Sequence, residues 1–413
     1  MKESKYIIIG GGLAGARAAF YLRQMDPDGR IIIFSEESYL PYDRPPLSKE
    51  ILKGIKRLED IYLYKEREFS ENNIEIFLNT KVTELSLDEH AITTSTGDKF
   101  FFQKAFIATG GRPRLLPFEV FSTNEVYYLR NFNDAQKIKA KAQESRSVII
   151  IGAGFIGMET ASAFIEQGLK VSVIDINPWL WDRFLPENIS HKFSEKFSEK
   201  GVRFYFSTSA QSIQGEKGKV RVQLSGNQIL EADFICVGIG IDLNLELARN
   251  AGLKVDRGIL VNDNMQTSHP DIFAGGDIIQ FMDPYAGKYR VVEHWGHAEF
   301  SGLVAASAMS GNPYKYDLLN YAWTDLFDLH IDFGGEPSVA YNAIPYKLNE
   351  DLSGYVLYIH ENKLKGYMGI NPANKDIAIL QKWIKKGVSL HTILPMIMDS
   401  ESSLTELNKQ LES

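Results

Sequence analysis

Two glycine turns with the same internal spacing constrain this chain more than any other feature. The first lies in Lys5-Tyr-Ile-Ile-Ile-Gly-Gly-Gly-Leu-Ala-Gly-Ala-Arg17, where β-branched residues break into Gly10, Gly12 and Gly15 and then resume with helical periodicity. That order predicts strand, tight turn and helix. In such a turn the first glycine permits the sharp reversal, the second lets a pyrophosphate approach the backbone, and the third lets helix pack on strand. The free N–H groups and dipole of the helix N-terminus favour the negative charge. A second strand, Ile31-Ile-Ile-Phe34, runs into Ser35-Glu36-Glu37, and Glu36 lies 21 residues beyond Gly15. From that distance a carboxylate accepts hydrogen bonds from both ribose hydroxyls.

The same pattern returns in Ser147-Val-Ile-Ile-Ile-Gly-Ala-Gly-Phe-Ile-Gly-Met-Glu159, with Gly152, Gly154 and Gly157 in register with the first set. The following strand, Lys170-Val-Ser-Val-Ile-Asp175, ends in an acid 18 residues after Gly157, so a second ribose site is expected. No base occupies Ile176, Asn177 or Pro178 to meet a 2′-phosphate, which favours NAD over NADP; Arg183 is the nearest cation. A third glycine-ended strand, Asp271-Ile-Phe-Ala-Gly-Gly-Asp277, is read as completing the first domain, which is then discontinuous. Gly215-Glu-Lys-Gly218 reads as a hairpin turn, and beyond about residue 320 the chain turns to alternating aromatic strands such as Gly354–His360 and 363–369. The expected partition is 1–114 with 243–320, then 115–242, then an α+β module at 321–413.

Composition narrows the function. The 413 residues carry a net charge of −8, and the pI is near 5.6. A nucleic-acid binder would show a basic face, so none is expected, and the balance suits a cytoplasmic protein. No uncharged run reaches the roughly 18 residues of a membrane span. Cys236 is the single cysteine, which excludes a disulfide within the chain. Two histidines three apart in Glu293-His-Trp-Gly-His297 suggest a metal, but zinc requires three or four ligands and a second shell, so no metal is expected.

Taken together, Leu40-Pro-Tyr-Asp-Arg-Pro-Pro-Leu-Ser-Lys49, Ala108-Thr-Gly110, Gly154-Phe-Ile-Gly-Met-Glu159, Ala274-Gly-Gly-Asp277 and Arg290-Val-Val-Glu-His-Trp295 resemble the ferredoxin and rubredoxin reductases and apoptosis-inducing factor. These are flavoproteins of the glutathione-reductase-like superfamily. The resemblance implies an α/β fold with two Rossmann-like dinucleotide-binding domains, for FAD and NAD, plus a C-terminal α+β domain. It assigns Gly10, Gly12, Gly15 and Glu36 to the ADP half of FAD. Arg44, Lys49 and Arg112 become FAD contacts, Asp277 a partner of the ribityl and pyrophosphate region, and Trp295 a neighbour of the isoalloxazine ring. Gly152, Gly154, Gly157 and Asp175 would hold NADH. Lys49, near flavin N5 and paired to Glu159, would be catalytic with that acid. The implied cofactor-binding set also takes in Leu13, Ala14, Val82, Ala108, Thr109, Gly110, Phe155, Ile156, Arg183, Gly238, Gly276, Glu293, His294 and Ala298. The segment Tyr321-Ala-Trp-Thr-Asp325 departs from the family's commoner Phe-Trp-Ser-Asp at Ala322 and Thr324, after Tyr321.

Disulfide reductases of this superfamily need cysteine beside the flavin, and Pro41-Tyr-Asp-Arg-Pro-Pro-Leu has none. Electrons are therefore expected to pass from NADH through FAD to a small ferredoxin or rubredoxin carrier, by a monomer or homodimer without a membrane segment. The alternatives are a reductase of quinone or oxygen and an apoptosis-inducing-factor-like NADH sensor. A basic patch of Lys382, Lys385 and Lys386 is a candidate docking face.

Overall fold

A computed structural model describes residues 2–216 and 218–412. The chain forms two compact units. The first contains Met1–Asp43, Leu58–Arg112 and Asp242–Asn320; the second contains Arg44–Arg57, Pro113–Ile241 and Tyr321–Ser413. This division is coarser than the three-part sequence reading, and it places residues 44–57 with the second unit rather than the first.

In the first unit the strand Glu3–Ile9 lies parallel between Ile31–Phe34 and Lys99–Ile107, and Ile74–Phe77 adds to the outer side of Ile31–Phe34. All four residues of Ile31–Phe34 are buried, as expected of a parallel sheet covered on both faces. The strand Ile272–Ala274 joins this sheet beside Lys99–Ile107. A segment more than 160 residues downstream thus completes the layer, as its glycine-ended sequence predicts. The helix Leu13–Met25 buries Ala14, Gly15, Ala16, Ala18, Ala19, Phe20 and Leu22. Its partner helix Trp295–Met309 approaches so closely that a Cβ on Gly302 would sit 2.6 Å from the Ala14 carbonyl oxygen.

In the second unit five parallel strands run in the order Val202–Tyr205, Lys170–Ile174, Ser147–Ile151, Phe234–Val237, Val126–Tyr128. A four-stranded sheet contains the hairpin partners Ala210–Glu216 and Lys219–Leu224; Lys217 of the expected turn lies outside the described residues. The C-terminal module is an antiparallel sheet ordered Tyr321–Leu326, Leu329–Gly335, Lys363–Ile370, Gly354–His360, Asn342–Tyr346. The helix Asn374–Lys386 turns Leu380, Trp383 and Ile384 inward. The helix Leu404–Glu412 follows, and a short helix, Leu394–Asp399, precedes it. Among the described residues, no helix is long and apolar enough to cross a membrane.

Candidate functional site

The two glycine turns have nearly identical geometry. Gly10 holds φ +122° and Gly152 φ +106°, a region that L side chains rarely adopt. A Cβ on either would strike a backbone carbonyl, that of Ala108 at 2.2 Å or of Gly238 at 2.3 Å. A Cβ on Gly15 would meet the Gly10 oxygen at 2.0 Å, and one on Gly157 the Gly152 oxygen at 2.0 Å. The middle glycines differ: a Cβ on Gly12 or Gly154 meets nothing within 4 Å. Each middle glycine is the N-cap of a helix without a side-chain cap, Gly12 for Leu13–Met25 and Gly154 for Phe155–Glu166. Each helix thus begins without a side-chain cap, beside space that a Cβ would find open, which suits a pyrophosphate.

Around the first turn, Ala108, Thr109 and Gly110 follow the strand Lys99–Ile107, and Thr109 Oγ1 donates to the Asn244 carbonyl at 3.0 Å. Gly276 holds φ +76°, its N–H donates to Ser301 Oγ at 2.8 Å, and a Cβ there would lie 4.0 Å from Ala298 Cβ. Asp277 is the middle residue of the short turn Gly276–Ile278, and Val82 is buried at the start of Val82–Ser86. Trp295 Nε1 donates to Asp43 Oδ1 at 2.8 Å. His294, following exposed Glu293, has a buried Nδ1 without a hydrogen-bond partner. Desolvation, then the Arg290 charge, lowers its pKa to about 4, so it is neutral at pH 7. A buried orphan nitrogen is costly, and its presence beside this cradle fits a polar ligand. Two expected contacts are engaged elsewhere: Glu36 pairs with Lys81 at 3.2 Å, and Arg112 with Glu246 at 2.8 Å.

At the second turn Asp175 is fastened by backbone donors. Ala153 N–H donates to Oδ2 at 2.6 Å and Asn177 N–H to Oδ1 at 2.8 Å. Each carboxylate oxygen retains a free lone pair for a ribose hydroxyl. Phe155 is half-buried, whereas Ile156 and Arg183 are exposed.

The proline-rich segment folds as a short 3-10 turn, Pro45–Ser48, preceded by Arg44, whose Nη1 donates to the Arg130 carbonyl at 2.5 Å. It delivers Lys49 to a buried cluster within the second unit. Lys49 Nζ lies 3.6 Å from Glu159 Oε1 and 3.1 Å from Asp325 Oδ2. Glu159 also accepts from Thr324 Oγ1 at 2.8 Å and from Ser48 Oγ. Asp325 Oδ1 meets His330 Nδ1 at 2.6 Å, since the two residues face each other across paired strands. Desolvation pulls the Lys49 pKa down, but Glu159 and Asp325 outweigh it and hold it above the ordinary lysine value. Burial pushes the Glu159 carboxyl up, against Lys49 and the two hydroxyls. The resulting group is a fixed, almost buried ammonium. The sequence pairs Lys49 with Glu159, but Ser48, Thr324, Asp325 and His330 go unassigned, although Thr324 and Asp325 lie in the aromatic segment that departs from the family pattern. On the proposed docking face, Lys382 pairs with Glu412.

Over residues 4–302 the chain matches the family described as pyridine nucleotide-disulphide oxidoreductase. The chain belongs to that family. It is 32% identical over 372 residues to the 3-phenylpropionate/cinnamic acid dioxygenase ferredoxin–NAD(+) reductase component of Photorhabdus laumondii subsp. laumondii, covering 90% of this chain and 94% of that one. Rubredoxin-NAD(+) reductase of Ectopseudomonas oleovorans is 34% identical over 321 residues, 78% of this chain and 83% of its own. The structure of the covalent putidaredoxin reductase–putidaredoxin complex matches with TM-score 0.93 at 27% identity, covering 99% of both chains. The α/β fold with two dinucleotide-binding domains and a C-terminal domain is therefore this chain's fold. Cys236, the one cysteine, is buried in Phe234–Val237, and burial pushes its thiol far above the usual range.

Proposed function

We propose that the chain is an NADH-dependent FAD flavoprotein reductase that takes a hydride from NADH and passes electrons to a small iron–sulfur or rubredoxin carrier. The observation that carries this reading is the pairing of two complete pyrophosphate cradles with a single, buried cysteine. With no cysteine in residues 41–47 beside the flavin, electrons leave the flavin directly for an external acceptor. FAD, when bound, supplies hydride acceptance and conversion from two-electron to one-electron transfer. The relatives named as ferredoxin and rubredoxin reductases support the same acceptor class. The modules are proposed as 1–114 with 243–320 for FAD, 115–242 for NADH and 321–413 as the C-terminal module.

The chain's own residues would bind, orient and set charge. The two helix N-termini take the pyrophosphates, and Asp175 takes the NADH ribose. Trp295, held by Asp43, and the neutral His294 belong to the FAD set. Lys49 and Glu159 form the catalytic pair: the acid fixes a lysine that stays cationic and stabilises negative charge developing on a reduced cofactor. Arg44 and Arg112 remain in the set as proposals, each with guanidinium donors beyond those its present partners take. A cytoplasmic monomer or homodimer is the accompanying proposal.

The test is NADH-driven reduction of cytochrome c with and without candidate carriers at rising salt. Carrier-dependent rates that fall steeply with ionic strength support a charge-steered one-electron partner. Fast electron transfer to quinone or oxygen, with no acceleration by any ferredoxin or rubredoxin of the same organism, overturns it in favour of a small-acceptor reductase.

A further inference from the structure

In the first unit, the outer edge of the strand Lys99–Ile107 is shared by two strands laid end to end. Ala91–Thr94 pairs antiparallel with Lys99, Phe100 and Phe101, and Ile272–Ala274 pairs parallel with Ala105, Phe106 and Ile107. At the junction the His90 carbonyl accepts from Phe102 N–H and the Asp271 carbonyl from Ala105 N–H, both at 2.9 Å. Two residues 181 apart in the chain are thus held side by side. Their side chains meet, with His90 Nε2 3.1 Å from Asp271 Oδ2, and His269 joins them, its ring 5.6 Å from that of His90. One ligand atom from each of the three lies within 4.8 Å of the others.

We propose that His90, His269 and Asp271 form a binding site for a divalent transition-metal ion, zinc being the best fit, that clips together two of the three segments of the discontinuous first unit, Leu58–Arg112 and Asp242–Asn320. Two imidazoles and one carboxylate are a donor set suited to zinc, cobalt or nickel. Ligands about 2.1 Å from a tetrahedral ion lie roughly 3.4 Å from one another, close to the existing His90–Asp271 separation. Bringing in His269 from within 4.8 Å requires a side-chain movement of up to about 1.4 Å, which half-exposed rings can make, and solvent would complete the coordination. The His269 Nδ1 lone pair now accepts from Asp271 N–H at 3.2 Å; ligation through that nitrogen displaces a single long hydrogen bond. His90 also holds φ +48°, an uncommon backbone state for a residue other than glycine. The site lies at least three residues, or about 10 Å, along the strand from Ala108, so its occupancy can be measured independently of cofactor chemistry. It revises the expectation of no metal, on residues that the sequence pattern never brought together.

The experiment uses tag-free, FAD-loaded protein stripped with chelator and titrated with zinc chloride or cobalt chloride. Stoichiometric zinc binding is expected, with a visible cobalt d–d absorption. The melting temperature should rise, corresponding to about a hundredfold gain in the folding equilibrium at metal one hundred times its dissociation constant. His90→Gln, His269→Gln and Asp271→Asn should each abolish the cobalt spectrum and the thermal shift while retaining FAD absorbance. Absence of both signals in the wild-type protein at 100-fold excess metal overturns the proposal, as does their survival in all three variants. Should a variant fail to fold, the wild-type cobalt spectrum and binding stoichiometry still decide.

Discussion

Valine at Gly12 would place a side chain where the protein itself has nothing within 4 Å of the new Cβ. The backbone there, φ −82° and ψ −171°, is open to any L residue. The apoprotein should therefore fold normally, and a valine should meet only the ligand. Losing two charge-assisted hydrogen bonds from helix N–H groups to phosphate oxygens, at about 1.5–3 kcal/mol each, weakens FAD binding by roughly 10² to 10⁴-fold. The assay is the 450 nm to 280 nm absorbance ratio after gel filtration, alongside thermal unfolding of the apoproteins. Gly12→Val should emerge colourless with an apoprotein melting temperature like that of the wild type. Gly15→Ala, whose Cβ would lie 2.0 Å from the Gly10 oxygen, should instead destabilise the fold. Gly154→Val should keep its FAD and raise the KM for NADH. Stoichiometric FAD in purified Gly12→Val, or loss of FAD from Gly154→Val, would refute the assignment of the two cradles.

Three further outcomes follow from the second unit. NADH should be preferred over NADPH by about ten- to hundred-fold in kcat/KM, since two backbone donors fix the Asp175 carboxylate and a lost charge-assisted contact costs about 1.5–3 kcal/mol; equal values would contradict this, and Asp175→Ala should erode the preference mainly through NADH. Glu159→Ala should leave Lys49 paired with Asp325 alone and strip the Ser48 and Thr324 hydroxyls of their acceptor, at a cost of about 1–3 kcal/mol, whereas Lys49→Met with Glu159→Gln should cost less than the sum of its single changes; strict additivity in denaturant melts would rule out the coupling. Burial pushes Asp233 up, but Lys219, Arg146 N–H and Ser147 outweigh it and bring its pKa to about 2. Because the folded value lies below the unfolded one, its contribution of about 2 kcal/mol is present above pH 4 and disappears as pH falls from about 4 towards 2. Asp233→Asn should remove it at neutral pH and flatten the acid limb, and an unchanged pH profile would count against it.

The sequence by itself determined both glycine turns and the lack of cysteine in residues 41–47. Positive φ at Gly10 and Gly152, the return of apolar periodicity after each turn and the spacing to Glu36 and Asp175 all act within a few tens of residues, where local sterics govern the backbone. Tertiary structure alone decided the surroundings of Lys49. Asp325 lies 276 residues from it and approaches only because an antiparallel strand pair sets Thr324, Asp325 and His330 in register. It likewise decided that Glu36 meets Lys81, that residues 44–57 group with the second unit, and that His90 faces Asp271 where two strands share one edge. Such meetings depend on which strands become neighbours, and that is settled by burying the sheets as wholes rather than by the few residues around each side chain.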